Sequence, residues 1–193
     1  MEHSELFPDE VERVLSARTF RTFPLDDLRP AAVLVPLLVR EGEWSVLLTR
    51  RTEHLPHHKG EISFPGGAVH AEDASLAATA LRENEEEVGV PVEKVQLLGR
   101  LDDFYSVHGY HVVPFVGIFP PSPRFRVNRD EIAELIEAPL ADCAEPERWR
   151  RENWRHRGRV EEVFFLQVAG NEVWGLTAAI LRQFMQCCGL IKI

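Results

Sequence analysis

The chain has 193 residues, 45% hydrophobic and 27% charged, which suits one globular domain with a real core and excludes collagen-like, low-complexity and wholly disordered chains. Lys and Arg number 22 against 31 Asp and Glu, a formal net charge of −9, so any polyanion it binds must meet a local basic patch. Three cysteines (Cys143, Cys187 and Cys188) without regular spacing argue against a disulfide framework or a zinc site, and with the acidic start MEHSELFPDE they predict a soluble cytoplasmic protein without a membrane span.

In chain order, residues 1–30 read as a mostly polar N-terminal extension packing on a domain at 31–193. Val11, Val14 and Leu15 predict a short helix over 10–18. Apolar runs at 31–39 and 44–49 around Glu41-Gly42 predict a hairpin. A basic, His-rich stretch without a period follows at 50–59, then a short strand at 62–67 ending in a glycine turn. Residues 73–88 form the strongest predicted helix, with Asp73 at the N-cap position, Gly89 as the stop, and Leu76, Ala77, Ala80, Leu81 and Val88 as the apolar stripe. Strands are predicted at 94–101 and 111–119, a helix around Ile132, Leu135 and Ile136, a strand at 163–168 and a closing helix at 176–186. The Arg-rich run 148–159, with Trp149 and Trp154 interleaved, reads as a solvated loop, a lid, or a stacking and phosphate-binding surface. Alternating strands and helices predict an α/β (α+β) fold, a mixed β-sheet between α-helices.

The central helix carries Glu83, Glu85, Glu86 and Glu87. At about 100° per residue, Glu83 and Glu87 share a face, Glu86 flanks them and Glu85 turns away. Such a run can be a solvated acidic face. Here it stands at a helix C-terminus, where the macrodipole disfavours negative charge. That points to a cation, and a hard ion such as Mg²⁺ takes oxygen ligands. Arg82, four residues before Glu86, is placed to hold it.

Gly67, Arg82-Glu83, Glu86-Glu87 and Gly89-Val90 resemble the Nudix box, the loop-helix-loop signature of a family of diphosphate hydrolases. There are departures: Asp73 stands where the box has Glu, eight residues rather than seven separate it from Arg82, and Asn84 takes an aliphatic position. A second match, Leu47-Leu48-Thr49-Arg50-Arg51 followed by Gly60 and Phe64-Pro65-Gly66-Gly67, resembles the motif of the coenzyme A diphosphatase branch, with Thr52 for a smaller residue and Pro56 for an arginine. A closing WGLTA at 174–178 is also similar to that branch, and the resemblance spans roughly 30–185.

The resemblance implies a Nudix fold and hydrolysis of coenzyme A or its thioesters to 3′,5′-ADP and 4′-phosphopantetheine. It implies Mg²⁺ or Mn²⁺ at Glu83, Glu86 and Glu87, with Arg82 completing the catalytic set. The proton acceptor stays open, with Glu86 the first candidate in the helix. Substrate contacts are expected from Arg50, Arg51, His54, His57, Lys59, Gly66 and Gly67, because an anionic substrate needs a basic site on an acidic protein. The expected partner is a small molecule, not nucleic acid or membrane, and the oligomeric state is open. Alternatives are a Nudix hydrolase of ADP-ribose or another dinucleotide, and a catalytically silent nucleotide- or RNA-binding module.

Overall fold

The computed structural model describes residues 2–23, 27–53, 59–156 and 158–191, without the side chains of residues 2–6, 156 and 159. The elements are α1 (Glu2–Ala17), β1 (Arg29–Arg40), β2 (Glu43–Arg51), β3 (Ile62–Ser63), β4 (Gly66–Ala68), α2 (Leu76–Val88), β5 (Gln96–Arg100), β6 (Phe104–Tyr105), β7 (Tyr110–Ile118), β8 (Ile132–Pro139), α3 (Leu140–Cys143), β9 (Trp149–His156), β10 (Arg159–Val168), β11 (Asn171–Trp174) and α4 (Gly175–Cys187). Positive φ at Glu41 (52°) and Gly42 (86°) makes the tight turn that folds β1 onto β2.

β1 is the middle of the large sheet, antiparallel to β2 and β4 and parallel to β7. The order is β3-β2-β1-β7-β5, with β8 on β2 and β6 on β7. β9, β10 and β11 form a second, three-stranded sheet. Both faces of β1 are covered, so its sequence is almost continuously apolar. On one face Ala32, Leu34 and Leu38 pack with Leu47, with Ala80 and Val88 of α2, and with Phe119. On the other, Val35 and Leu37 join Val11 and Leu15 of α1, Leu166 of β10 and Phe184 of α4. The mixed sheet thus lies between helices, as expected.

Three expectations are corrected. Residues 132–136 are strand, not helix: β8 pairs antiparallel along β2, with Ile132, Ile136 and Ala138 buried. A register shift at Arg50/Arg51 interrupts the two-residue alternation and leaves a spacing that imitates a helix. The Arg-rich run is not a loop but mostly strand β9, with two of its arginines paired across strands, Arg151 with Glu162 at 3.2 Å and Arg150 with Glu172 at 2.9 Å. The central helix begins at Leu76 and its N-cap is Ser75, whose Oγ accepts the Ala78 N–H at 3.1 Å, so Asp73 is not the cap.

The segment after α1 is tied to the body. Arg18 donates to Asp102 at 2.6 Å, and the Arg21 N–H at 3.0 Å. Among the described residues no helix is long and apolar enough to cross a membrane.

Candidate active site

β4 brings a glycine pair against α2. Antiparallel pairing with β1 sets Gly66 opposite Val33 and Gly67 opposite Ala32. A Cβ at Gly66 would fall 2.5 Å from the Ala32 carbonyl oxygen. One at Gly67 would fall 2.5 Å from Oε1 of Glu83, so only glycine lets that carboxylate lie against the backbone.

Arg82 is the hub. It grips Asp73 with two hydrogen bonds of 2.9 Å, and its Nη1 reaches Glu83 at 2.9 Å and Glu86 at 3.1 Å. It also donates to the Ala68 carbonyl at 3.2 Å, tying helix to β4. Asp73 in turn accepts from the His70 N–H at 2.9 Å and the Thr79 hydroxyl at 2.8 Å. The Arg82 guanidinium holds the Asp73 carboxyl well below the usual carboxylate range, and Asp73 raises the pKa of Arg82. The shorter Asp and the extra residue in the box are absorbed here: the turn from His70 to Thr79 closes on the Asp73 carboxylate.

Glu87 is 2% exposed. Its Oε1 accepts from Arg51 at 3.3 Å, while Oε2 is buried without a partner. Burial pushes this carboxyl up to about 8, with the Arg51 charge opposing and Glu83 and Glu131 adding to it. Burial also raises Glu83, against the pull of Arg82. Glu86 and Glu85 are exposed. Asn84 is buried, its amide donating to the Val90 carbonyl at 3.4 Å. The three carboxylates converge only in part: among the described residues no three carboxylate, His or Cys side chains are grouped to hold an ion as they stand, and Arg51 and Arg82 occupy them instead.

The expected substrate residues separate. Arg51 joins the site. Arg50 turns to Glu134 at 2.9 Å and to the Asn171 side chain, away from α2. Lys59 is exposed. His54 and His57 lie outside the described residues, as does Pro56. Thr177, in the WGLTA run, donates to the Ile62 carbonyl at 3.0 Å and so anchors α4 to the strand before the glycine pair.

Sequence reading missed Glu131. Its carboxylate is 3.9 Å from Arg51, on a loop that caps α2: the N–H groups of Asn128 and Arg126 donate to the carbonyls of Glu87 and Val88 at 3.0 and 2.9 Å. No local pattern marks Glu131; only this loop closure brings it to Arg51.

A divalent cation fits this donor set. The donors are hard oxygens, one of them a buried carboxylate oxygen with no partner, and the elevated affinity of Glu87 for a proton is what a buried anion shows when its counter-charge is incomplete.

The family comparison agrees with this geometry. A family model described as NUDIX domain matches residues 27–157. The chain belongs to the Nudix family, whose hydrolases act on diphosphate bonds. It is 41% identical over 162 residues to a protein of Enterobacter sp. (strain 638) described as uncharacterized Nudix hydrolase NudL, covering 84% of each chain. A protein of the same description from Yersinia pestis (strain Pestoides F) is 42% identical over 158 residues, 82% of this chain and 79% of that one. Among solved structures, the C. elegans Ap4A hydrolase binary complex matches with a TM-score of 0.50 at 19% identity, over 60% of this chain and 83% of that chain. A MutT/nudix family protein from Enterococcus faecalis also matches at 0.50, with 16% identity, over 97% of this chain and 79% of that chain. These two share the fold.

Proposed function

We propose that the protein cleaves the diphosphate of coenzyme A or its thioesters, releasing 3′,5′-ADP and 4′-phosphopantetheine, with Mg²⁺ or Mn²⁺ held by Glu83, Glu86 and Glu87. The observation that carries this is the junction of the two motifs. The LLTRR strand supplies Arg51 to Glu87, and the FPGG turn lays Gly67 against Glu83.

When bound, the ion neutralises the phosphates and lowers the pKa of a water. The remaining work belongs to the chain. Asp73 holds Arg82, and Arg82 takes one oxygen each of Glu83 and Glu86, which keeps the two carboxylates side by side while their remaining oxygens would turn to an ion. Arg51 offers a guanidinium that can turn from Glu87 to a phosphate oxygen. Gly66 lets β4 lie against the β1 backbone, and Gly67 lets the Glu83 carboxylate lie against β4, which sets where that carboxylate faces the diphosphate. Glu86, the exposed carboxylate of the set, can take a proton from water; Glu131, beside Arg51, is the second candidate.

The test is product analysis after incubation with Mn²⁺ and coenzyme A, alongside dephospho-coenzyme A and ADP-ribose. Release of 3′,5′-ADP, with a lower rate on dephospho-coenzyme A, supports the assignment. Equal rates on both coenzyme forms would remove the 3′-phosphate from recognition, and preference for ADP-ribose would replace the substrate.

A further inference from the structure

Between the second sheet and α4 lies a cavity of about 350 Å³ lined by Pro146, Trp149, Arg150, Arg151, Phe164 and Arg182. Half of these residues are arginines and none is acidic. None comes from α2, β2 or β4, and Phe164 and Arg182 lie beyond residues 27–157, the span of the family match.

The wall is built by strand register. Trp149 and Arg151 sit opposite Leu166 and Phe164 across β9 and β10, so alternation sends this set to one face of the sheet. Trp149 is fixed by its indole N–H, which donates to the Cys143 carbonyl at 2.8 Å. Arg182 reaches from α4 and lays its guanidinium over the Phe164 ring, 4.4 Å from the centroid. Arg151 is held by Glu162 at 3.2 Å. Burial lowers the pKa of Arg182, Glu162 opposes this, and the charge of Arg151 lowers it further. Two guanidiniums near enough to disfavour each other share the acid Glu162, which stands outside the cavity lining, so the pair carries one more positive charge than that acid balances and attracts an anion. Flat guanidinium and indole faces take a planar ring. The volume is at the small end of ligand pockets, which run from about 300 to 1,000 Å³, enough for one ring system with its phosphate and too little for a dinucleotide.

We infer that this cavity is a second ligand site, separate from the diphosphate-cleaving site, that takes a mononucleotide, its phosphate between Arg151 and Arg182 and its base on the aromatic wall. The inference does not depend on which diphosphate the main site cleaves.

The test is calorimetric titration of the full chain, without divalent metal, with AMP, adenosine and inorganic phosphate. The expected result is saturable AMP binding that weakens roughly ten-fold or more in both Arg151→Gln and Arg182→Gln and is unchanged in Glu87→Gln. Arg151 is 74% exposed, so its replacement leaves folding intact. Hydrolysis of the main substrate by Arg151→Gln is expected at the wild-type rate. AMP binding that is absent, or indifferent to both arginines, overturns the site. Phosphate binding as tightly as AMP overturns the nucleotide assignment. Loss of AMP binding in Glu87→Gln, or of hydrolysis in Arg151→Gln, overturns the separation of the two sites.

Discussion

Glu87 shows how one side chain carries an electrostatic conflict, a buried carboxylate whose single charged partner compensates it only in part. Its carboxyl is buried and elevated to about 8 from an ordinary 4.5. A group whose folded pKa is raised contributes stability fully below its unfolded value and loses it as pH rises through the folded one. Metal-free protein should therefore lose thermal stability between about pH 5 and pH 8, and Glu87→Gln should remove that component. Calorimetry at both pH values checks this, and identical slopes for the two proteins would contradict it. Glu87→Gln is also expected to lower turnover by roughly two orders of magnitude, because a neutral amide is a poor ligand for Mg²⁺. Asp73 acts one step back, as a positioning residue. Asp73→Ala releases Arg82 and with it Glu83 and Glu86, and kcat should fall about ten- to hundred-fold with a raised metal requirement. Asp73→Glu should restore part of both, whereas a residue that only stabilised the fold would leave the metal requirement unchanged.

At the scale of elements, α2 is delimited by Ser75 and Gly89 and held between β1 and a capping loop. Gly89 has φ 78°, and a Cβ there would meet Arg126 Cβ at 2.5 Å. Gly89→Ala should cost roughly 1–3 kcal/mol in denaturant unfolding, from the left-handed backbone and the contact together. Gly67→Ala acts differently. Its new methyl would meet the flexible end of Glu83, which can move aside, so the fold survives while the carboxylate shifts. Turnover should drop roughly ten-fold or more, with an unfolding midpoint near that of wild type. Equal loss of both would mean that Gly67 serves packing alone.

The whole molecule is joined across its layers by a buried acidic node. Asp102 accepts from Arg18 at 2.6 Å, the Arg21 N–H at 3.0 Å and Gln183 of α4 at 2.8 Å, while Asp103 meets His111 at 2.7 Å and Arg100. The node ties the segment after α1 to the β5–β6 connection, β7 and α4. Burial pushes the Asp102 carboxyl up, but the Arg21 amide and the Arg18 guanidinium outweigh it and hold the group below its ordinary value. Its stabilisation is present above the unfolded pKa and lost as pH falls through the lower folded one. Asp102→Ala should cost about 3 kcal/mol at neutral pH, because Arg18 and Gln183 lose their acceptor in a buried setting, and the difference from wild type should shrink in acid. Chemical denaturation at neutral and acidic pH measures it.

By itself the sequence determined the parts whose physics is local. The hairpin at Glu41-Gly42, the helix that ends at Gly89 and the face shared by Glu83 and Glu87 follow from turn geometry, a left-handed cap and helical spacing, all set within a few residues. The Nudix box was legible for the same reason, since it sets its residues at fixed spacings. What needed the tertiary structure was everything set by a partner distant in the chain. β8 reads as helix until β2 supplies its ladder and its register shift. The Arg-rich run reads as a loop until β10 turns it into a strand. Arg50 and Arg51 are neighbours in sequence, but their partners, Glu134 and Asn171 for one and Glu87 for the other, send them apart. Asp73 reads as a cap because its true partner, Arg82, lies a helical stretch away, and Glu131 carries no local sign at all. Local backbone preferences are encoded residue by residue; the pairing of charges and strands across the core is decided only when folding brings their elements together.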